Sequence, residues 1–272
     1  MENNLLSRAV TLLHLADPVK KAERTCQLAR DWQNRKLVLD PDKASPVPPE
    51  QPGRPANLEQ VAPGAVPKRR VGTAEGRIAL LHAIAHIELN AIDLALDMLA
   101  RFTSDPVLSA PDRLDFATDW LVIASEEAQH FTLITNRLNE MGSIYGALAV
   151  HQGLWEAAHN TRHDLAARLA IAPMLLEARG LDVTPSMIKK LIGAGDTKSA
   201  HVLKIIYEEE IGHVAKGVHW FKIVCAARNV EPQHHFKTLV QQYFPAGLRA
   251  PFNHSAREMA GLTRGYYQTS LA

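Results

Sequence analysis

Apolar residues recur every three or four positions through long stretches of this chain, the period of a helix buried along one side. In the first long stretch the repeat reads Ile78, Leu81, Ala85, Ile92, Ala95 and Leu99. It predicts a helix from about 73 to 101, with Thr73 as N-cap. The second repeat reads Phe116, Trp120, Ile123, Ile134 and Met141 and predicts a helix over 113–141, stopped by Gly142. A third helix is expected over 154–179, ahead of Gly180, then a short one over 185–192 opened by Thr184 and Pro185. The fourth long helix, over 197–229, carries Leu203, Ile206, Trp220 and Val224 on one face. Shorter helices are predicted over 5–15, 18–37 and 232–244, the first two divided by Asp17-Pro18. No segment alternates with period two, so no strand is expected. The fold class is therefore all-α. Short first and last connections with one longer crossover at 143–153 suit a four-helix bundle.

Between 40 and 67 stand eight prolines (Pro41, Pro46, Pro48, Pro49, Pro52, Pro55, Pro63, Pro67) and two glycines, which neither a helix nor a central strand tolerates. That stretch is expected to be an extended strap, either disordered or laid across the surface. The organisation is then an N-terminal helical extension (1–39), a Pro-rich strap (40–70), a bundle (71–230) and a C-terminal extension (231–272) packing on the bundle. Within that extension, 245–262 is irregular at first and can turn helical from Ser255.

Composition narrows the class. At 272 residues the chain can bury a full bundle core, and 46% apolar with 22% charged residues is ordinary for a soluble globular protein. A formal net charge of +1 provides no field to attract nucleic acid or an anionic membrane, and Lys68-Arg69-Arg70 is too short for a binding tract. No run approaches the roughly 18 uninterrupted apolar residues of a membrane span. The N-terminus starts acidic and lacks a small-residue cleavage site, so no signal peptide is expected. Cys26 and Cys225 are lone thiols outside any CxxC, which fits a reducing compartment. A cytoplasmic location is the expectation.

The apolar faces hold carboxylates where a plain core would hold leucine. Glu88 interrupts the first helix, Glu127 and His130 the second, Glu210 and His213 the fourth. Burying an unpaired carboxylate costs several kcal/mol, so these groups imply partners. Glu-x-x-His sets an oxygen and a nitrogen ligand on one helix face. Two such pairs centred on separate apolar faces form a specific signal. Glu88 lies about 14 residues before the end of its helix and Glu127 about 14 after the start of the next, so an antiparallel hairpin sets them level. Glu126 and Glu209 each precede a motif Glu; each is either a partner for a ligand imidazole or part of a solvated face. Tyr207, one turn before Glu210, is either a hydrogen-bond partner of a ligand or a packed core tyrosine. His82 and His86 lie off the Glu88 face, and His86 reads as a structural histidine.

The segments LLHAIAHIELNAIDLALD, EEAQHF, LEARGLDVTP, YEEEIGHVAKG and APFNHSAREMAGL are similar to a bacterial ferritin-like family, over about residues 67–262. One Glu, then EExxH, one Glu, then EExxH resembles the di-iron carboxylate proteins, with a pattern similar to the tRNA-modifying di-iron hydroxylases. The resemblance implies a ferritin-like four-helix bundle holding two iron ions, or manganese, through Glu88, Glu127, His130, Glu177, Glu210 and His213. Six oxygen and nitrogen ligands without thiolate favour those metals over zinc or copper. Family position selects Glu177 as the fourth carboxylate, but a third motif, Glu156-Ala-Ala-His159, lies with His163 on the same predicted helix face, and height along the helices leaves the choice open. The leading expectation is an oxygen-dependent hydroxylase or oxidase. Its organic substrate, a small molecule or RNA-borne, is unidentified, and an electron-donor protein would serve it. The alternatives are an iron-binding or ferroxidase-type protein without organic substrate, and a purely structural bundle. Asn253 and Arg257 are expected to face the site entrance and hold an anionic or amide-bearing substrate, against the plainer reading that Arg257 pairs with a carboxylate.

Overall fold

Helix starts in this chain are set by short polar side chains that satisfy the first free N–H groups. In the computed structural model, which describes residues 3–40, 47–62, 65–66 and 70–268, Thr73 accepts from the Gly76 N–H and opens α3 (Ala74–Phe102). Ser109 and Asp112 form a reciprocal capping box that opens α4 (Ala110–Glu140), three residues earlier than the apolar repeat alone suggested. Asp17 caps α2 (Pro18–Gln33), which follows α1 (Leu5–Leu13). The remaining elements are α5 (Gly153–Asn160), α6 (Leu165–Ile171), a π-helical segment (Ala172–Glu177), α7 (Ala178–Gly193), α8 (Thr197–Ala227), α9 (Pro232–Tyr243), α10 (His254–Met259) and α11 (Arg264–Tyr267). Among the described residues no strand forms; Asn4 with Val38 and Gln60 with Val150 make only isolated bridges.

The third predicted helix is the one that differs. Instead of a single rod over 154–179, the chain breaks at 161–164, where Asp164 caps α6. Beyond it, Pro173 cannot donate to the ladder, and the backbone answers with the π-helical turn. The expected stop at Gly180 does not occur. The α7 helix runs through Gly180 and Pro185 to Gly193, so Thr184-Pro185 is not a helix start.

The chain divides into two compact units, Met1–Trp155 and Glu156–Ala272. In the first, α3 and α4 form an antiparallel hairpin, with α1 against α3 and α2 against α4. The described part of the Pro-rich strap is laid on this unit. Gly53 donates to the Leu13 carbonyl, the Trp155 indole donates to the Glu50 carbonyl, and around Gln60 the Val61 N–H donates to the Val150 carbonyl while the Val150 N–H donates to the Glu59 carbonyl. A side chain at Gly53 would meet the His14 carbonyl at 2.3 Å, so only glycine lets the strap lie this close. Pro41, Pro46, Pro63, Pro67, Lys68 and Arg69 lie outside the described residues. In the second unit, α6, the π segment, α7 and α9 pack against α8, and α10 covers α7 and α8. Helix α3 is long and apolar enough to cross a membrane by composition, yet 83% of its apolar window is buried within the protein. It is a core helix.

Candidate metal centre

In the first unit the hairpin brings Glu88 of α3 to Glu127 and His130 of α4. One ligand atom from each lies within 4.8 Å of the others, as the register arithmetic predicts. All three side chains are buried. His130 Nδ1 is 3.2 Å from Glu127 Oε2 and 3.4 Å from Glu88 Oε2. Burial, then the charge of Glu127, raises the Glu88 pKa well above the usual carboxylate range, with His130 working the other way. Burial pulls the His130 imidazole down, but its bonds to Glu127 and Glu88 prevail and push it up to about 11. Two carboxylates in so small a dry volume need a cation among them, and either a proton or a metal ion supplies it. The donor set, carboxylate oxygens with one imidazole, could hold a metal ion.

The second unit carries the other Glu-x-x-His pair on α8. His213 is buried, and its Nδ1 lies 3.6 Å from Glu210 Oε2. Here the unbroken course of α7 bears on the height of Glu177. Helices α7 and α8 are antiparallel across a turn from Gly193 to Thr197; Pro173 lies twenty residues before Gly193, and Gly217 twenty after Thr197. They touch: a Cβ on Gly217 would sit 2.6 Å from Pro173 Cβ. By the same count Glu177 and His213 are each sixteen residues from the turn, which sets Glu177 level with His213. Glu177 closes the π segment, and its Oε2 is buried. Gly217→Ala is therefore expected to push the π segment off α8 and to cost about 1–3 kcal/mol. An unchanged urea midpoint for this variant would show that the contact is slack.

The rival residues stand elsewhere. Glu156 and His163 are exposed, and His159 lies on α5, ahead of the 161–164 break, so the three do not share one helix face. His163 Nε2 lies 3.0 Å from the Tyr243 hydroxyl. Glu126 is half-buried and Glu209 exposed. The Tyr207 hydroxyl accepts from Asn253 Nδ2 at 3.0 Å, which favours the packed-tyrosine reading. Asn253 also donates to the Leu181 carbonyl and caps α10 through Oδ1, so its side chain is engaged in holding the tail. Arg257 is buried against Asp182 through two bonds, Nε to Oδ1 at 2.9 Å and Nη2 to Oδ2 at 2.7 Å. The fork expected to grip a substrate is thus largely spent on an internal carboxylate, because burying both partners is tolerable only when they pair.

His82 and His86 are structural. His82 Nε2 accepts from the Gly146 and Leu148 N–H groups; His86 lies 2.8 Å from the Tyr145 hydroxyl and 3.1 Å from the His151 carbonyl. Burial pushes both imidazoles down to about 4, which keeps them neutral and lets His82 accept. A buried charge network escaped the sequence reading altogether. Lys21 of α2 meets Asp93 of α3 at 2.6 Å, Arg54 of the strap pairs with the same carboxylate, and Arg54 also donates to Asn90. Asp93 and Asp97, two charges four residues apart in the apolar run LNAIDLALD, were the available signal.

A family model described as "Protein of unknown function (DUF455)" matches residues 14–268. An "Uncharacterized protein" of Haemophilus influenzae is 38% identical over 260 residues, covering 93% of this chain and 89% of that one. No solved structure matches.

Proposed function

The chain belongs to the DUF455 family, and we propose that it is a dinuclear metal protein of ferritin-like type, loaded with iron or less favourably manganese, that oxidises an organic substrate with dioxygen. The observation that supports this reading is the buried convergence of Glu88, Glu127 and His130, two carboxylates and an imidazole from two helices with one ligand atom each within 4.8 Å. Each Glu-x-x-His pair holds one ion, with Glu88 completing the first set and Glu177 the second. What joins the two sets into one centre is the resemblance to the di-iron carboxylate proteins. The two ions would supply electron transfer to dioxygen. The protein's own part is to bind them on rigid helices, to exclude water with the apolar faces around Glu127 and His130, and to keep His130 beside two carboxylates. The strap and the helices after α8 are features that a minimal iron-storage shell does not need, which is why an enzyme ranks above a ferroxidase here.

Iron analysis of protein purified from iron-supplemented aerobic culture, with electron paramagnetic resonance, tests the reading. About two ions per chain and a spin-coupled, silent ferric state are expected. Two separate high-spin ferric signals would overturn the dinuclear centre while leaving two mononuclear sites.

A further inference from the structure

The second unit contains a cavity of about 350 Å³ that the metal reading does not use. Its apolar wall is Leu175 and Leu176 of the π segment with Phe244, Leu248 and Phe252 of the tail, and its polar wall is Arg179, Arg249, Arg257 and Asp182. Three guanidinium groups thus stand against one carboxylate. That carboxylate is engaged: Asp182 accepts from Arg257 twice and from the Asn253 backbone N–H. Arg257 is held between the Phe252 and Tyr267 rings, its Cζ 5.0 Å and 4.7 Å from their centroids. Its remaining nitrogen, Nη1, is buried without a hydrogen-bond partner. Arg179 donates through Nη1 to the Arg249 and Pro251 carbonyls, which ties the tail loop to α7, and the same nitrogen lies 3.5 Å from Asp182 Oδ2; its Nε and Nη2 are the donors left for a ligand. Arg249 itself is exposed at the rim.

We propose that this cavity is a binding site for an organic anion, a carboxylate or phosphate ester with an apolar body of medium length. The volume suits a small ligand, the apolar wall suits a hydrocarbon or ring, and the surplus guanidinium charge with unused donors suits a planar or tetrahedral anionic head. The tail residues 244–252 form half of the lining, so the C-terminal extension closes the site. In place of the expected Arg257, Arg179 and Arg249 do the gripping, and Arg257, paired with Asp182, is the wall behind them.

The proposal does not need the metal, and the test keeps the two apart. Octanoate, octyl phosphate and octylamine are titrated by calorimetry into full-length protein, as purified and after chelation, with iron counted in each sample. Both anions are expected to bind in both samples, and octylamine at least tenfold more weakly. The double variant Arg179→Met, Arg249→Met is expected to lose at least tenfold in octanoate affinity. Ala246→Trp, at the exposed edge of the lining, is expected to block it while circular dichroism and iron content are unchanged. Equal binding of octanoate and octylamine overturns the proposal, since the cleft then senses only the chain. Unchanged octanoate affinity in both variants overturns it as well, since the anion then binds elsewhere. Loss of iron with anion binding intact would strike only at the metal reading.

Discussion

Replacing His130 by alanine is expected to strip one metal ion from the protein while leaving its helices in place. His130 is the nitrogen donor beside Glu88 and Glu127 among the described residues, and without it carboxylate oxygens alone remain to hold a cation. Changes to groups that merely orient a ligand cost about 10–100-fold in metal affinity, so loss of a ligand itself should cost about 100-fold or more. His213→Ala should do the same for the second ion, since it removes the imidazole whose Nδ1 lies 3.6 Å from Glu210 Oε2. The helices should persist because the faces that pack α3 on α4 are apolar over most of their length. In the chelated protein the His130 imidazole offsets the two buried carboxylates, so the metal-free variant should melt below the chelated parent. Metal content measured after dialysis against a weak chelator, with circular dichroism alongside, decides the matter. Two ions per chain in the double variant would sink the proposed ligand set.

Asp93→Ala is expected to be the most damaging single change in the first unit. Asp93 is fully buried and accepts from both Lys21 and Arg54. The Lys21 ammonium also donates to the Leu13 and Gly53 carbonyls, so one carboxylate ties α2 and the strap to α3. Burial lowers the Lys21 pKa against the pull of Asp93. Without that carboxylate the ammonium would have to deprotonate or drag water inward. Breaking a buried pair by removing one partner costs about 3–5 kcal/mol, on the order of 10 °C in melting temperature for a unit of this size. The Arg137–Glu140 pair on α4 is the control: Glu140 is exposed, so Glu140→Ala should cost about 0–1 kcal/mol, because water already screens that carboxylate. If the two variants melted alike, the network would be ornamental, and strap and α2 would be held by packing alone.

The helices were legible because helix formation is a short-range affair. A three-four apolar repeat, a capping Thr73 and a stop at Gly142 act within a few residues of one another, so α3, α4 and α8 begin and end within a few residues of expectation. The same holds for Glu127 with His130 and for Glu210 with His213, each pair set by one helical turn. Where the local signals misled, a longer-range contact had overruled them. Gly180 and Thr184-Pro185 look like a stop and a restart, yet α7 passes through both. Its packing along α8 outweighs one missing donor at Pro185 and the looser backbone at Gly180.

What the residues determined unaided was the all-helical class and the two Glu-x-x-His pairs, together with the level placement of Glu88 and Glu127 that a hairpin enforces. Each depends on spacing along one chain direction, which 3.6 residues per turn converts directly into a face and a height. Only the tertiary structure decided the rest. It set Glu177 level with His213 by carrying α7 unbroken to Gly193, and it paired Arg257 with Asp182 across 75 residues. It also drew Lys21, Arg54 and Asp93 into one buried knot and opened a cavity between the π segment and the tail. Those features join residues far apart in sequence. Their partners are selected by the burial cost of charge and by the close approach of Gly217 to Pro173, neither of which any local repeat encodes.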